Sequence, residues 1–127
     1  MESNLISWIE IPVTNMERAK AFYETVFNIE IKIETFQGVF MGWFPIYDKK
    51  PGASGALLLN EAYTPSDTKG VLIYFSSNDI SKQLETVVEN GGAIIQNFTE
   101  ISPEIGAMGL FIDTEGNRIA LYSNPKL

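Results

Sequence analysis

The reading of this chain turns on Ser7-Trp8-Ile9-Glu10-Ile11-Pro12-Val13-Thr14-Asn15-Met16-Glu17-Arg18-Ala19-Lys20-Ala21-Phe22-Tyr23. Its first half alternates. Ile9, Ile11 and Val13 interleave with Trp8, Glu10 and Pro12, the period of two expected of a strand over residues 5–13. The pattern then changes period. Asn15 is placed to cap a helix, and Ala19, Phe22, Tyr23 and Val26 form an i, i+3, i+4, i+7 apolar stripe. Asn28 suits the helix C-terminus. Three apolar stretches follow, at 29–35, 38–46 and 55–59. Gln37-Gly38 marks a turn between the first two, and Asp48-Lys49-Lys50-Pro51-Gly52 a loop before the third.

The same order then recurs. A strand is expected over 70–76, and Asp79 caps a second helix with Ile80, Leu84, Val87 and Val88 on its apolar face. Gly91-Gly92 ends it. Strands are expected over 93–98, 108–113 and 118–123, with Glu115-Gly116-Asn117 turning the last hairpin. The two caps stand 64 residues apart. Two copies of one unit, or one α+β domain without internal symmetry, both fit this pattern. The polar, Pro-containing stretch 61–69 links the halves.

Composition narrows the function classes. The 127 residues are 45% hydrophobic and 12% aromatic, enough for a packed core. The net charge is −7 and no basic run occurs, which argues against nucleic acid as a partner. No apolar stretch is long enough to span a bilayer, so no membrane partner is expected. Glu2 and Asn4 stand where a signal peptide would be basic, and there is no cysteine to form a disulfide; a cytoplasmic location is the expectation. There is also no histidine, so Ser-His-Asp and Cys-His arrangements are impossible.

The opening segment, with its Val-Thr-Asn break before Arg-Ala-x-x-Phe-Tyr, and the late hairpin Asp113-Thr114-Glu115-Gly116-Asn117 together resemble the glyoxalase/bleomycin-resistance/extradiol-dioxygenase superfamily, the vicinal oxygen chelate proteins. The resemblance covers nearly the whole chain. It implies one domain over 1–127, an α+β fold of two βαβββ modules at approximately 1–60 and 70–127. Their strands form a curled mixed sheet around a central pocket, with the helices outside. It also implies a homodimer. Most of the superfamily's enzymes hold a divalent metal, and the resemblance places those ligands on Trp8, Leu72, Ala120 and either Ala56 or Leu57. None of these side chains offers a lone pair suited to such a cation. No metal and no cofactor are therefore expected.

Strand parity within that fold gives the site expectations. Ile9, Ile11, Val13, Val71, Ile73, Phe75, Ile119 and Leu121 should meet helices, because alternate residues point to opposite faces. Trp8, Glu10, Leu72, Tyr74, Ser76, Arg118, Ala120 and Tyr122 should face inward. Trp43, Phe40 and Met41 are candidates to join them, since both parities of their strand are apolar. The expected ligand pocket is thus Trp8, Glu10, Trp43, Leu72, Tyr74, Arg118, Ala120 and Tyr122. Glu10 has two readings: a buried pair with Arg118 that sets the modules in register, or a group that meets ligand, as hydrogen-bond acceptor or general base. The leading functional expectation is a small-molecule-binding protein without catalysis. Behind it stand a metal-independent lyase or isomerase using Glu10 as base, a metal-dependent lyase or dioxygenase, and an interaction module whose pocket is filled.

Overall fold

The computed structural model describes residues 3–125. The first unit runs β1 (Trp8–Val13), α1 (Met16–Phe27), β2 (Lys32–Phe36), β3 (Val39–Trp43) and β4 (Ser54–Leu59). The second runs β5 (Ile73–Ser76), α2 (Ile80–Glu89), β6 (Ala93–Ser102), β7 (Gly106–Ile112) and β8 (Arg118–Ser123). Each unit is βαβββ and builds its own four-stranded mixed sheet, ordered β1-β4-β3-β2 and β5-β8-β7-β6. The opening strand of each unit lies parallel to the closing one, which the intervening helix permits.

Local chemistry sets the boundaries. Asn15 accepts from the Arg18 amide at 3.0 Å, and Asp79 from the Lys82 amide at 3.1 Å, so both expected caps form. Asn28 ends α1 in the left-handed region, with φ of 52°. Gln37 and Gly38 both take positive φ, 50° and 79°, as a two-residue turn between β2 and β3 requires. The strand expected over 70–76 begins only at Ile73, and Val71, expected to be buried, is 87% exposed beyond its end. In the other direction β6 runs past the expected end at 98 to Ser102, pairing with β7 through register shifts.

One continuous core joins the units. Ile11, Val13 and Leu57 from the first sheet and Phe111, Ile119 and Leu121 from the second pack with both helices. Ile9, Ile73 and Phe75 lie partly buried against the same core, as strand parity predicts. The Phe22 ring stands 6.0 Å from that of Phe111, and the Tyr23 ring 6.2 Å from that of Phe75. Close helix packing also demands glycine. A methyl at Gly109 would approach Ile80 and Leu84 of α2 to 3.0 and 3.1 Å, and one at Gly42 would meet Ile31 and Met16 at 3.0 and 3.1 Å. Among the described residues, no helix is long and apolar enough to cross a membrane.

The two segments that carry the sequence resemblance touch each other. Glu115 reaches across to the start of α1. Its carboxylate accepts from the amides of Thr14 and Asn15 at 2.8 and 2.9 Å and from Arg18 Nε at 2.7 Å. Thr14 Oγ1 and Thr114 Oγ1 donate to it as well. Two residues earlier, buried Asp113 accepts from the Tyr23 hydroxyl at 2.6 Å and from Asn117. Asn117 also donates to the Pro12 carbonyl at 2.8 Å. Burial would push the Glu115 carboxyl up, but the bonds from Arg18, Thr14, Asn15 and Thr114 outweigh it and hold the group at about 2, below its ordinary 4.5. Burial pushes the Tyr23 hydroxyl well above its ordinary value, and the neighbouring Asp113 charge adds to this.

A carboxylate whose folded-state pKa is depressed stabilises fully above its unfolded value, and the contribution is lost as pH falls through the folded one. Glu115→Ala should therefore cost about 1.5–3 kcal/mol at neutral pH, the range for hydrogen bonds to a charged group. The gap between wild type and variant should narrow steadily as pH drops from 4.5 towards about 2. Urea unfolding of both proteins across that range checks it; a gap that stays constant down to pH 3 would contradict the assignment.

Candidate functional site

The helices cover one face of each sheet and leave the other open. In the first sheet the open face is built by register. Across β1, β4 and β3, Glu10 pairs with Ala56 and Ala56 with Trp43, while Met41 pairs with Leu58. Side chains of one parity thus gather on one surface. Ala56, fully buried, lies between Glu10 on one side and Trp43 on the other. The result is a cup of about 530 Å³ lined by Trp8 and Glu10 of β1, Val39, Met41 and Trp43 of β3, and Leu58 of β4. Gln37 of the β2–β3 turn and Asn60 and Tyr63 of the linker complete its rim. The volume falls in the range of small-molecule sites, on the order of 300–1,000 Å³.

Its aromatic wall is ordered. The Trp8 and Trp43 rings meet edge-to-face, centroids 5.4 Å apart at 68°. Trp8 Nε1 donates to Glu10 Oε2 at 3.4 Å. Trp43 Nε1 is buried without a hydrogen-bond partner among the described residues. Glu10 is the one charged side chain in the lining. It is exposed to the cup rather than sealed in apolar surroundings.

The expected pocket residues separate into two groups. Trp8, Glu10 and Trp43 line the cup. Tyr74, Ala120 and Tyr122 share the open face of the second sheet, where Tyr74 pairs with Ala120 and Ser76 with Tyr122. Arg118 begins β8 on that same face, opposite Ile112, and Leu72 precedes β5. The parity reading holds along each strand, but the strands belong to different sheets, so facing inward does not mean facing one cavity. For the same reason Glu10 and Arg118 do not pair: among the described residues the ion pairs are Arg18–Glu115, Lys20–Glu24 and Lys32–Glu34. The Tyr122 hydroxyl is also committed, donating to the Ile105 carbonyl. Met41 joins the cup, whereas Phe40 turns to the opposite face and packs against the main core. Gln37, Leu58, Asn60 and Tyr63 were not legible as lining. Val39, Met41 and Leu58 sit in strands apolar at both parities, and Tyr63 lies in a linker without periodicity.

A second groove of about 590 Å³ opens beside the first, on the far side of Trp8, over Phe27, Phe44 and Phe75. Much of its wall is the 44–55 loop region. The cup is the better site candidate, because β1, β3 and β4 hold its walls on a rigid ladder and a carboxylate stands within it.

The pairing also settles the module correspondence. Trp8 and Leu72, Glu10 and Tyr74, Asn15 and Asp79, and Ala56 and Ala120 all stand 64 residues apart. In each sheet an alanine of the closing strand pairs with a residue of the opening strand, Ala56 with Glu10 and Ala120 with Tyr74. Residues 5–124 match the sequence profile of the Glyoxalase/Bleomycin resistance protein/Dioxygenase superfamily. The chain belongs to this superfamily. A glyoxylase-like domain-containing protein from Didymella fabae is 30% identical over 125 residues, covering 94% of each chain. Among solved structures, glyoxalase I from Zea mays superposes with a TM-score of 0.68 at 18% identity, covering 92% of this chain and 45% of the maize chain. The chain therefore spans about half the length of that enzyme. TnmS3, an antibiotic binding protein from a Streptomyces species, superposes with a TM-score of 0.67 at 21% identity, covering 98% of each chain.

Within the superfamily fold, the positions expected to carry metal can be tested against the side chains present. Trp8 lines the cup, Ala56 is buried beneath it between Glu10 and Trp43, Leu57 lies in the main core, Leu72 precedes β5, and Ala120 belongs to the second sheet. These residues do not fit a divalent cation, which needs three or more nitrogen, sulfur or oxygen ligands. Among the described residues no group of three or more acidic side chains stands ready to replace them. Protein dialysed against metal-free buffer should hold well below one equivalent of Zn, Mn, Fe or Ni by elemental analysis. A stoichiometric ion that survives dialysis would overturn this assignment.

Proposed function

We propose that this superfamily member binds a small molecule in the β1–β3–β4 cup and performs no metal-dependent chemistry on it. The observation that carries the reading is the cup itself: two tryptophans, Val39, Met41 and Leu58 around a single carboxylate, on a scaffold whose metal positions hold Trp, Leu and Ala. The likeness to TnmS3, described as an antibiotic binding protein, supports it. Both tryptophans of the chain line the cup, so their emission reports its occupancy. In a thermal-shift screen of planar drug-sized compounds, those that stabilise the protein should also change tryptophan fluorescence. Trp8→Ala should weaken them by about 1.4 kcal/mol, tenfold in Kd. Compounds that stabilise the fold while leaving both the emission and the Trp8→Ala affinity unchanged would place binding elsewhere.

We propose further that the protein is a homodimer and that the open face of the second sheet is where the second copy docks. Leu72 and Tyr74 expose 38% and 53% of their surface there, beside half-buried Met108 and Leu110. Contiguous apolar surface of this kind is rarely left in water. The residues Leu72, Tyr74, Arg118, Ala120 and Tyr122 enter this reading as interface. Light scattering should give twice the 14.2 kDa chain mass, and Tyr74→Lys should shift it towards the monomer. A monomer mass in wild type at all concentrations would exclude the dimer.

A further inference from the structure

We infer that the cup selects a flat, positively charged ligand, a planar aromatic or heteroaromatic cation, and that Glu10 and Trp8 act as one selecting unit. The inference rests on the small-molecule reading above and names the class of ligand. Three observations converge on it.

The first is charge. The lining contains no Lys or Arg, and Glu10 is its one ionisable carboxylate. An anion entering the cup would give up its hydration next to a like charge, with no cation in the lining to compensate; Lys32, beside Trp43 on the same face, is paired with Glu34. A cation meets the reverse situation. The net charge of −7 favours its approach as well.

The second is geometry. Trp8 and Trp43 meet edge-to-face at 5.4 Å, so the two rings that line the cup are steeply inclined to one another. The negative face of an indole attracts a cation, and a flat one adds stacking area to the charge term. Val39, Met41 and Leu58 supply the apolar floor that a ring system can cover.

The third is how Glu10 is held. Trp8 Nε1 donates to Glu10 Oε2 at 3.4 Å, which ties the carboxylate to the aromatic wall and engages one of its two oxygens. No ion pair of the chain's own claims the carboxylate among the described residues. Its negative charge is thus available beside the ring that would stack on the ligand. A charge-assisted contact and a stacking contact then fall on the same molecule.

The test uses three probes of one shape and different charge: 1-methylquinolinium, 1-methylnaphthalene and 1-naphthoate. Binding is read from the two indole N–H signals of the ¹⁵N-labelled protein, assigned with Trp8→Phe and Trp43→Phe. In wild type the cation should bind about tenfold or more tighter than the neutral probe, and the anion weakest. Glu10→Gln keeps the size of the side chain and removes its charge; it should weaken the cation about tenfold and leave the neutral probe unchanged. Equal affinity for the cation and the neutral probe, tightest binding of the anion, or a Glu10→Gln variant that treats the cation as wild type does would overturn the inference while leaving the cup a binding site. If none of the three probes moves either indole signal at millimolar concentration, the cup is not a small-molecule site, and the inference fails with the reading beneath it.

Discussion

The carboxylate of Glu115 is the contact on which the arrangement of the two βαβββ modules depends. It joins a hairpin of the second module to the start of the first helix, across 101 residues of chain. Its side chain is fully covered while that of its partner Arg18 stays half exposed. A covered carboxylate is tolerable only when its oxygens are satisfied, and here two backbone amides, two hydroxyls and a guanidinium do so. The amides of Thr14 and Asn15 lie at the N-terminal end of α1, where a negative charge is favoured by the helix dipole. Asp113 and Asn117 extend the junction to Tyr23 and Pro12. The contact is directional, unlike the apolar core beneath it, so it sets the modules in one orientation. The core supplies cohesion, and this polar junction supplies alignment.

Alignment decides what remains open. Both helices pack into the shared core and use up one face of each sheet. The remaining faces carry the same skeleton, an alanine of the closing strand beside a residue of the opening strand, but different furniture. In the first module the alanine is flanked by Glu10 and Trp43, and the result is a cup with a charge in it. In the second it is flanked by Tyr74 and Leu110, and among the described residues no carboxylate stands beside it. One scaffold thus offers a candidate binding face and a candidate docking face, with the distinction carried by a few side chains. The positions at which the resemblance implies metal ligands carry Trp8, Ala56, Leu72 and Ala120, side chains without a donor for a cation.

Much of the fold was legible in the sequence because the signals are local. A period of two along Ile9, Ile11 and Val13, a stripe along Ala19, Phe22, Tyr23 and Val26, and caps at Asn15 and Asp79 each depend on a few neighbouring residues. Each is present in the structure. The strand ends were less legible. Val71 looks like strand by residue type but lies outside the ladder, and β6 continues past 98 to Ser102, because pairing partners rather than propensity decide where a ladder stops.

By itself the sequence determined the order of elements, the superfamily, the parity of β1, β5 and β8 and the residue types at the positions where the resemblance implies metal ligands, since all of these follow from residue type and short-range spacing. Only the tertiary structure decided which inward faces meet. Trp8, Glu10 and Trp43 share a cavity while Tyr74, Arg118 and Tyr122 lie on another sheet. Glu10 answers to Trp8 rather than to Arg118, and Asp113-Thr114-Glu115-Gly116-Asn117 is a junction as well as a turn. Parity tells a residue which side of its own strand it occupies. It carries no information on which other sheet lies beyond that side, because that depends on contacts between residues a hundred positions apart.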